Sequence, residues 1–210
     1  AGAVQNALSS QSMVFIPNEG QWNDEVFFMA QGGPMSVWFT TGGWTFAVED
    51  VSTDPETGRL EREAGVAVKM AFEGSRKSSR PVGEGTLQGT RNFLQGSNPS
   101  RWATNVPAYE RIRFPELYPG IDLVARNQDG HLEYDLVAQP GAAIEKVQVS
   151  CEGAEGLSID PSGVLVMETA LGPVTQKAPV TWNELPNGEK VRVNCSFKSK
   201  GPQRFGFHAP

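Results

Sequence analysis

The chain has 210 residues, a formal net charge of −6, 39% hydrophobic and 20% charged residues, and 23 glycines with 15 prolines. That length allows one large domain or two small ones with a self-sufficient core, and the Gly and Pro content suits short strands joined by tight turns rather than low-complexity disorder. The acidic balance excludes an electrostatic footing for nucleic acid or anionic lipid, and no run approaches the ~20 apolar residues of a membrane-spanning helix.

Residues 1–13 read as an N-terminal arm without the charged start and apolar middle of a signal peptide, and residues 14–210 as one β-rich domain. Two lobes, about 14–115 and 116–210, are the alternative division. Period-two alternation recurs from end to end while helical periodicity is almost absent, so the fold class is all-β, mainly antiparallel and sandwich-like, with little helix. Strands are expected at Val26–Ala30, Ser36–Thr40, Trp44–Glu49 and Val66–Phe72, then at Tyr109–Phe114, Ile121–Arg126, Leu132–Val137 and Lys146–Cys151. The last four are Val164–Thr169, Val180–Leu185, Lys190–Phe197 and Arg204–His208. Asp50–Glu63 reads as an extended hairpin tip and Gly74–Gly89 as a flexible connection.

Three turns set register. Gly42-Gly43 is placed as the centre of a primed turn. Asp129-Gly130 pairs Arg126 with Glu133, Ala125 with Tyr134, Val124 with Asp135 and Leu123 with Leu136. Asn187-Gly188 pairs Leu185 with Lys190, Trp182 with Val193 and Val180 with Cys195, which puts Val180, Trp182, Val191, Val193 and Cys195 on one core face.

The only cysteines are Cys151 and Cys195. Both fall on inward strand faces by these registers, placed for a disulfide that would contribute at most about 4 kcal/mol; the other reading is two buried free thiols. Neither they nor His131 and His208 show the paired spacing of a zinc site.

Asp122, Glu133 and Asp135 project from one face of the Asp129-Gly130 hairpin, the pattern of a carboxylate-dependent hydrolase. Arg126 opposite Glu133 favours a structural charge network instead, made of Asp122, Arg126, Glu133 and Asp135. Asn127-Gln128-Asp129-Gly130 with Glu133 offers some oxygen ligands for Ca²⁺, yet its spacing fits no EF-hand and the turn accounts for it. No other cofactor is indicated, and no Ser or Cys nucleophile motif is present. Gly83-Glu84-Gly85 does not lie between a strand and a helix and is no phosphate cradle. Among five tryptophans, Trp38 is the binding candidate because Val37 and Phe39 occupy the opposite face of its strand, and an exposed indole can stack on a sugar ring. Arg111 and Arg113 share a strand face with Tyr109. They serve either an internal network with Asp122, Glu133 or Asp135, or a free anion-binding role.

The central run Arg91-Asn92-Phe93-Leu94-Gln95-Gly96-Ser97-Asn98-Pro99-Ser100-Arg101-Trp102 continues into Thr104-Asn105-Val106-Pro107-Ala108-Tyr109 and Leu117-Tyr118-Pro119-Gly120-Ile121-Asp122-Leu123. Together with Phe15-Ile16-Pro17-Asn18-Glu19-Gly20-Gln21-Trp22 and Leu132-Glu133-Tyr134-Asp135, it resembles the N-terminal domain of bacterial secreted proteins that carry β-propeller-type (SBBP) repeats. The resemblance runs from about Val14 to Phe207. It implies a secreted or cell-surface module with no enzymatic activity and no catalytic residues to carry over. The expected function is non-catalytic surface assembly or adhesion through contacts with other surface proteins or with itself. The edge candidates are Ala1–Ser12 and Arg204–His208, and carbohydrate binding through Trp38 is the alternative.

Overall fold

Alternating apolar and polar side chains along the chain form strands almost throughout. The structure, a computed structural model, describes residues 13–32, 35–53 and 60–209. In chain order the strands are Val14–Pro17 (β1), Phe28–Gly32 (β2), Met35–Thr40 (β3), Gly43–Thr53 (β4), Leu60–Glu73 (β5), Val82–Thr86 (β6), Arg91–Phe93 (β7), Ala103–Val106 (β8), Tyr109–Tyr118 (β9) and Ile121–Gln128 (β10). They continue with His131–Ala138 (β11), Gln148–Glu152 (β12), Gly156–Ile159 (β13), Leu165–Glu168 (β14), Val174–Gln176 (β15), Thr181–Glu184 (β16), Lys190–Val193 (β17), Ser196–Gly201 (β18) and Arg204–His208 (β19). Only two short 3-10 turns, Pro99–Arg101 and Ile144–Lys146, interrupt this pattern among the described residues. The expected arm Ala1–Ser12 lies outside those residues, while Met13 is buried in the core.

One large antiparallel sheet runs in the order β11-β10-β9-β1-β2-β3-β4-β5-β12-β19-β18, with β6 also on β9. Three smaller sheets accompany it: β13-β14-β15, β16-β17 and β7-β8. In the large sheet, rows of directly paired residues alternate between faces, as the two-residue period of a strand requires. Phe28, Phe39, Trp44, Met70 and Cys151 form one inward row, every member buried. Ile16, Met29, Trp38, Thr45, Lys69 and Glu152 form an outward row.

A sheet with one apolar face must cover that face, and this one does so by curling on itself. Tyr134 of β11 packs on Trp44 of β4 and Phe72 of β5, with ring centroids 5.3 and 5.9 Å away, although these strands are far apart in the sheet order. Phe39 meets Phe114 at 6.5 Å. The seam is fastened by polar bonds: the Tyr118 hydroxyl donates to the Glu73 carbonyl (2.7 Å), the Ser79 hydroxyl to the Pro115 carbonyl (2.6 Å) and the Arg76 N–H to the Leu117 carbonyl (2.8 Å). Leu165 and Met167 of β14 complete the same core, with Leu157 of β13 and Val174 of β15 packed against it.

The motif Pro17-Asn18-Glu19-Gly20-Gln21-Trp22 is a loop organised by its own side chains. Asn18 Nδ2 donates to the carbonyls of Trp22, Asn23 and Val26, and its Oδ1 accepts from the N–H groups of Gly20 and Trp22. Buried Gln21 donates to the Pro17 carbonyl. A satellite cluster of Ile16, Ala103 and Val106, with Trp22 and Phe93 edge to face at 5.4 Å, holds the β7-β8 hairpin on the outward face of β1.

Every expected strand overlaps an observed one, and β1, β6, β7, β8, β13 and β15 are additional. The Asp129-Gly130 register holds in full, because both residues take positive φ, 53° and 84°, as a primed turn demands. The first hairpin turns one residue earlier than expected. Its loop is Thr41-Gly42, and Gly43 lies within β4, where an added Cβ would stand 2.1 Å from the Met70 carbonyl oxygen. The third register is corrected by one residue, to Trp182 opposite Arg192 and Glu184 opposite Lys190. Pro186 is the cause. Its fixed negative φ suits the first central position of an ordinary turn, so the loop becomes Pro186-Asn187-Gly188, closed by Gly188 N–H to the Leu185 carbonyl, with Gly188 at φ 82°.

This shift turns Trp182 out of the core. The expected strand Lys190–Phe197 also breaks at Asn194-Cys195, its halves belonging to different sheets. Cys151 and Cys195 are free thiols, which corrects the expected disulfide. Cys151 is buried beneath the large sheet, opposite Met70, whereas Cys195 sits half-buried in the break. The C-terminal strand β19 is paired on both sides, by β12 and β18, so it is no edge; among the described residues β18, β11 and β6 each have one unpaired edge.

Two outcomes follow. Trp44→Ala removes the ring on which Phe39, Phe72 and Tyr134 converge, and it should lower unfolding stability by about 3–5 kcal/mol in a urea titration. A thiol reagent should modify Cys195 in the native protein and leave Cys151 untouched, since burial pushes that thiol up to about 12. Both should react once the unreduced protein is unfolded; a bridged pair would give no reaction.

Candidate functional site

Strands β6, β9, β10 and β11 carry a ladder of charges on their outward face. Register places Glu84 opposite Arg111, Arg111 opposite Arg126, and Arg126 opposite Glu133, one row across four strands. Carboxylates thus stand at both ends of a pair of guanidiniums. Glu84 takes Arg111 Nε at 2.7 Å on Oε2 and Arg113 Nε at 2.6 Å on Oε1. Arg113 extends to Asp122 at 3.0 Å, and the second Asp122 oxygen accepts the Glu116 N–H at 2.7 Å. Arg126 holds Glu133 at 3.1 Å and Asp135 at 2.9 Å and donates to Gln128.

The hydrogen bonds from Arg113 and Arg111 hold the Glu84 carboxyl below its ordinary value, and the carboxylates in turn hold Arg113 and Arg126 further towards their charged forms. Asp122, Glu133 and Asp135 are therefore each bound to a guanidinium. This arrangement orders a sheet surface. Glu84 is the member that sequence reasoning passed over, because Gly83-Glu84-Gly85 reads as a loop. The signal that could have found it is a strand-length stretch whose one charged residue is flanked by small ones, facing the two arginines of β9.

Trp38 lies half-buried on the outward face between Met29 and Thr45, and no other aromatic ring contacts it among the described residues. At the proposed calcium loop, Asn127 Oδ1 accepts the Gly130 N–H at 3.0 Å, Gln128 donates to Asp129 at 3.1 Å and Glu133 is committed to Arg126. The donors thus serve the turn, and no group of three His, Cys, Asp or Glu suited to a metal occurs among the described residues.

The β16-β17 hairpin has a different character. Four of the seven large apolar side chains that stand exposed among the described residues belong to it and its flanks: Val180 (65%), Trp182 (44%), Leu185 (40%) and Val191 (45%). No third strand joins it among the described residues. Lys190 Nζ sits 4.7 Å from the Trp182 ring centroid, a cation–π contact, and Arg192 stands directly across from Trp182. Arg192 makes no ion pair among the described residues. Val180, Thr181, Trp182, Lys190 and Arg192 line an open depression of about 220 Å³.

A family profile covers residues 15–210, nearly the whole chain and all of these features. The chain belongs to DUF7948, described as a domain of unknown function. No curated protein and no solved structure matches it. Within the DUF7948 span the ladder and the hairpin contrast: the ladder's charges are paired with one another, while the hairpin holds cations and apolar side chains exposed to solvent.

The ladder predicts an acid-sensitive stability. Glu84 has its ordinary value, near 4.5, in the unfolded chain and a lower one when folded. Its contribution is therefore complete above that ordinary value and is lost as pH falls through the folded value. In denaturation titrations below pH 5, Glu84→Gln should flatten this acid-dependent loss while changing little of the pH dependence near neutrality.

Proposed function

We propose that this domain is a non-catalytic, extracellular or cell-surface module that assembles with other copies or other surface proteins through the β16-β17 hairpin. The observation that carries the reading is that Val180, Trp182, Leu185 and Val191 stand exposed on a hairpin joined by no further strand among the described residues, with Trp182 on the face it shares with Arg192 and Val191 on the other. A two-stranded hairpin is marginal in water by itself, and large apolar side chains exposed on both of its faces are surface that a contact would cover. Tryptophan and arginine are the residues that most often dominate interface energetics, and Trp182 faces Arg192 here. The resemblance to the N-terminal domain of secreted SBBP-repeat proteins supports the extracellular setting.

A non-catalytic role is supported by the ladder, whose Asp122, Glu133 and Asp135 are tied to arginines. The carbohydrate reading has less support, because Trp38 has no second ring beside it to extend a sugar platform.

The test is light scattering and sedimentation over a wide concentration range. The wild-type chain should associate as its concentration rises, and Trp182→Ser/Val191→Ser should remain monomeric with an unchanged circular dichroism spectrum. Unaltered association in the double variant, or a wild-type chain that stays monomeric throughout, would overturn the proposal.

A further inference from the structure

Among the described residues the path of the large sheet runs from β11 to β18, and these two strands treat their edges differently. At β18 the edge carries exposed Lys198 and Lys200, and its pairing with β19 is irregular between Ser199 and Gly201. Edge lysines and bulges are devices that discourage another strand from adding. At β11 neither device is present. Its pairing with β10 is regular over all eight residues, it holds no lysine or proline, and no strand lies on its far side among the described residues.

β11 also has a two-sided pattern. Glu133 and Asp135 project outward, while Leu132, Tyr134 and Leu136 project inward and are half-buried. Because β11 is the last strand, the ladder row Glu84, Arg111, Arg126, Glu133 stops on a carboxylate, and a further strand would place its side chains next to Glu133 and Asp135.

β17 has the complementary pattern. Lys190 and Arg192 share one face at the same two-residue spacing as Glu133 and Asp135, and Val191 and Val193 share the other. Its outer edge is unpaired among the described residues. Laid beside β11 in either direction, β17 sets two cations against two carboxylates on one face and two valines beside Leu132, Tyr134 and Leu136 on the other. Opposite charges and apolar pairs across neighbouring strands are what stabilise a sheet.

Among the described residues of the same chain β17 pairs with β16 alone, so the match is available between copies. Resting on the assembly reading above, we propose that the free edge of β17 in one copy adds to the free edge of β11 in the next, joining copies head to tail. The two surfaces differ, so the contact is heterologous and produces open chains rather than a closed pair. A four-residue strand makes a small interface, well below the roughly 1,200–2,000 Å² of a stable complex, and its charge pairs are exposed to salt. Chain length should therefore rise with protein concentration and fall with added salt.

The experiment uses the full chain in two charge-reversed forms, Lys190→Glu/Arg192→Glu and Glu133→Lys/Asp135→Lys, followed by sedimentation velocity alone and mixed. Each alone should associate at least tenfold more weakly than wild type, since like charges then meet at every contact. An equimolar mixture should recover assembly, because each variant's β17 is complementary to the other's β11. Hydrogen exchange of the wild-type chain should show amides of both β11 and β17 slowing on assembly, a readout independent of whether the β11 variant folds well.

If the wild-type chain assembles and the β17 variant fails to, but the mixture stays monomeric and β11 amides are unprotected, the β11 partnership is overturned and the hairpin reading stands. If association is indifferent to the β17 reversal, both fall.

Discussion

The width of the sheet is the constraint on which everything else depends. A single antiparallel sheet of this many strands carries one apolar face, and no long helix is present among the described residues to cover it. It has to be buried against itself. The meeting of Tyr134 with Trp44 and Phe72 is where that happens, bringing the β11 end over β4 and β5. The tyrosine is also enclosed electrostatically: burial drives its hydroxyl well above the ordinary tyrosine value, and Gln176 of β15 is its hydrogen-bond partner. One ring therefore touches both halves of the curl and the small β13-β14-β15 sheet.

Curling divides the outward surface by consequence. Over β6 and β9 to β11 the outward side chains are charged and pair with one another, and the row ends at the β11 edge on carboxylates. On β1 the outward Ile16 is covered by the β7-β8 hairpin. The β16-β17 hairpin is covered by nothing among the described strands and bears the opposite mixture, apolar groups with cations that form no ion pair among the described residues. The same sheet architecture thus yields one surface whose charges are paired within the sheet and one whose apolar groups are left exposed.

Much of this was legible in the sequence, because period-two alternation is a direct record of which face is buried. Val37 and Phe39 against Trp38, or Trp44 and Phe46 against Thr45, specify the inward side without ambiguity. Turn chemistry was legible where one residue pair decided it, as at Asp129-Gly130. It misled at Asn187-Gly188, where Pro186 rather than the Asn-Gly pair sets the loop, and the one-residue change carried Trp182 from the expected core to the surface. Long-range relations were less visible. Three strands of the ladder could be anticipated from Arg111, Arg113, Arg126 and their acidic neighbours, but nothing local to Glu84 shows that its segment returns to lie on β9. The expected disulfide failed for a related reason: each cysteine was judged from the pattern of its own strand, and the strand assigned to Cys195 ends before reaching it.

The pairing of β6 with β9 has a further consequence for how the sheet finds its alignment. Alternating apolar residues cannot distinguish a correct pairing from one slipped by two positions, since both keep the same side chains inside. On β6 the problem is acute, because the residues facing away from the ladder are Gly83 and Gly85, which have no side chains to choose between alignments. Gly83 is also where the Tyr109 ring lies, leaving no room for a Cβ. A two-residue slip that sets Val82 opposite Arg111 would carry Glu84 to Tyr109, out of line with Arg113. Glu84 thus acts as a register pin, a single carboxylate that gives a nearly featureless strand one position to occupy.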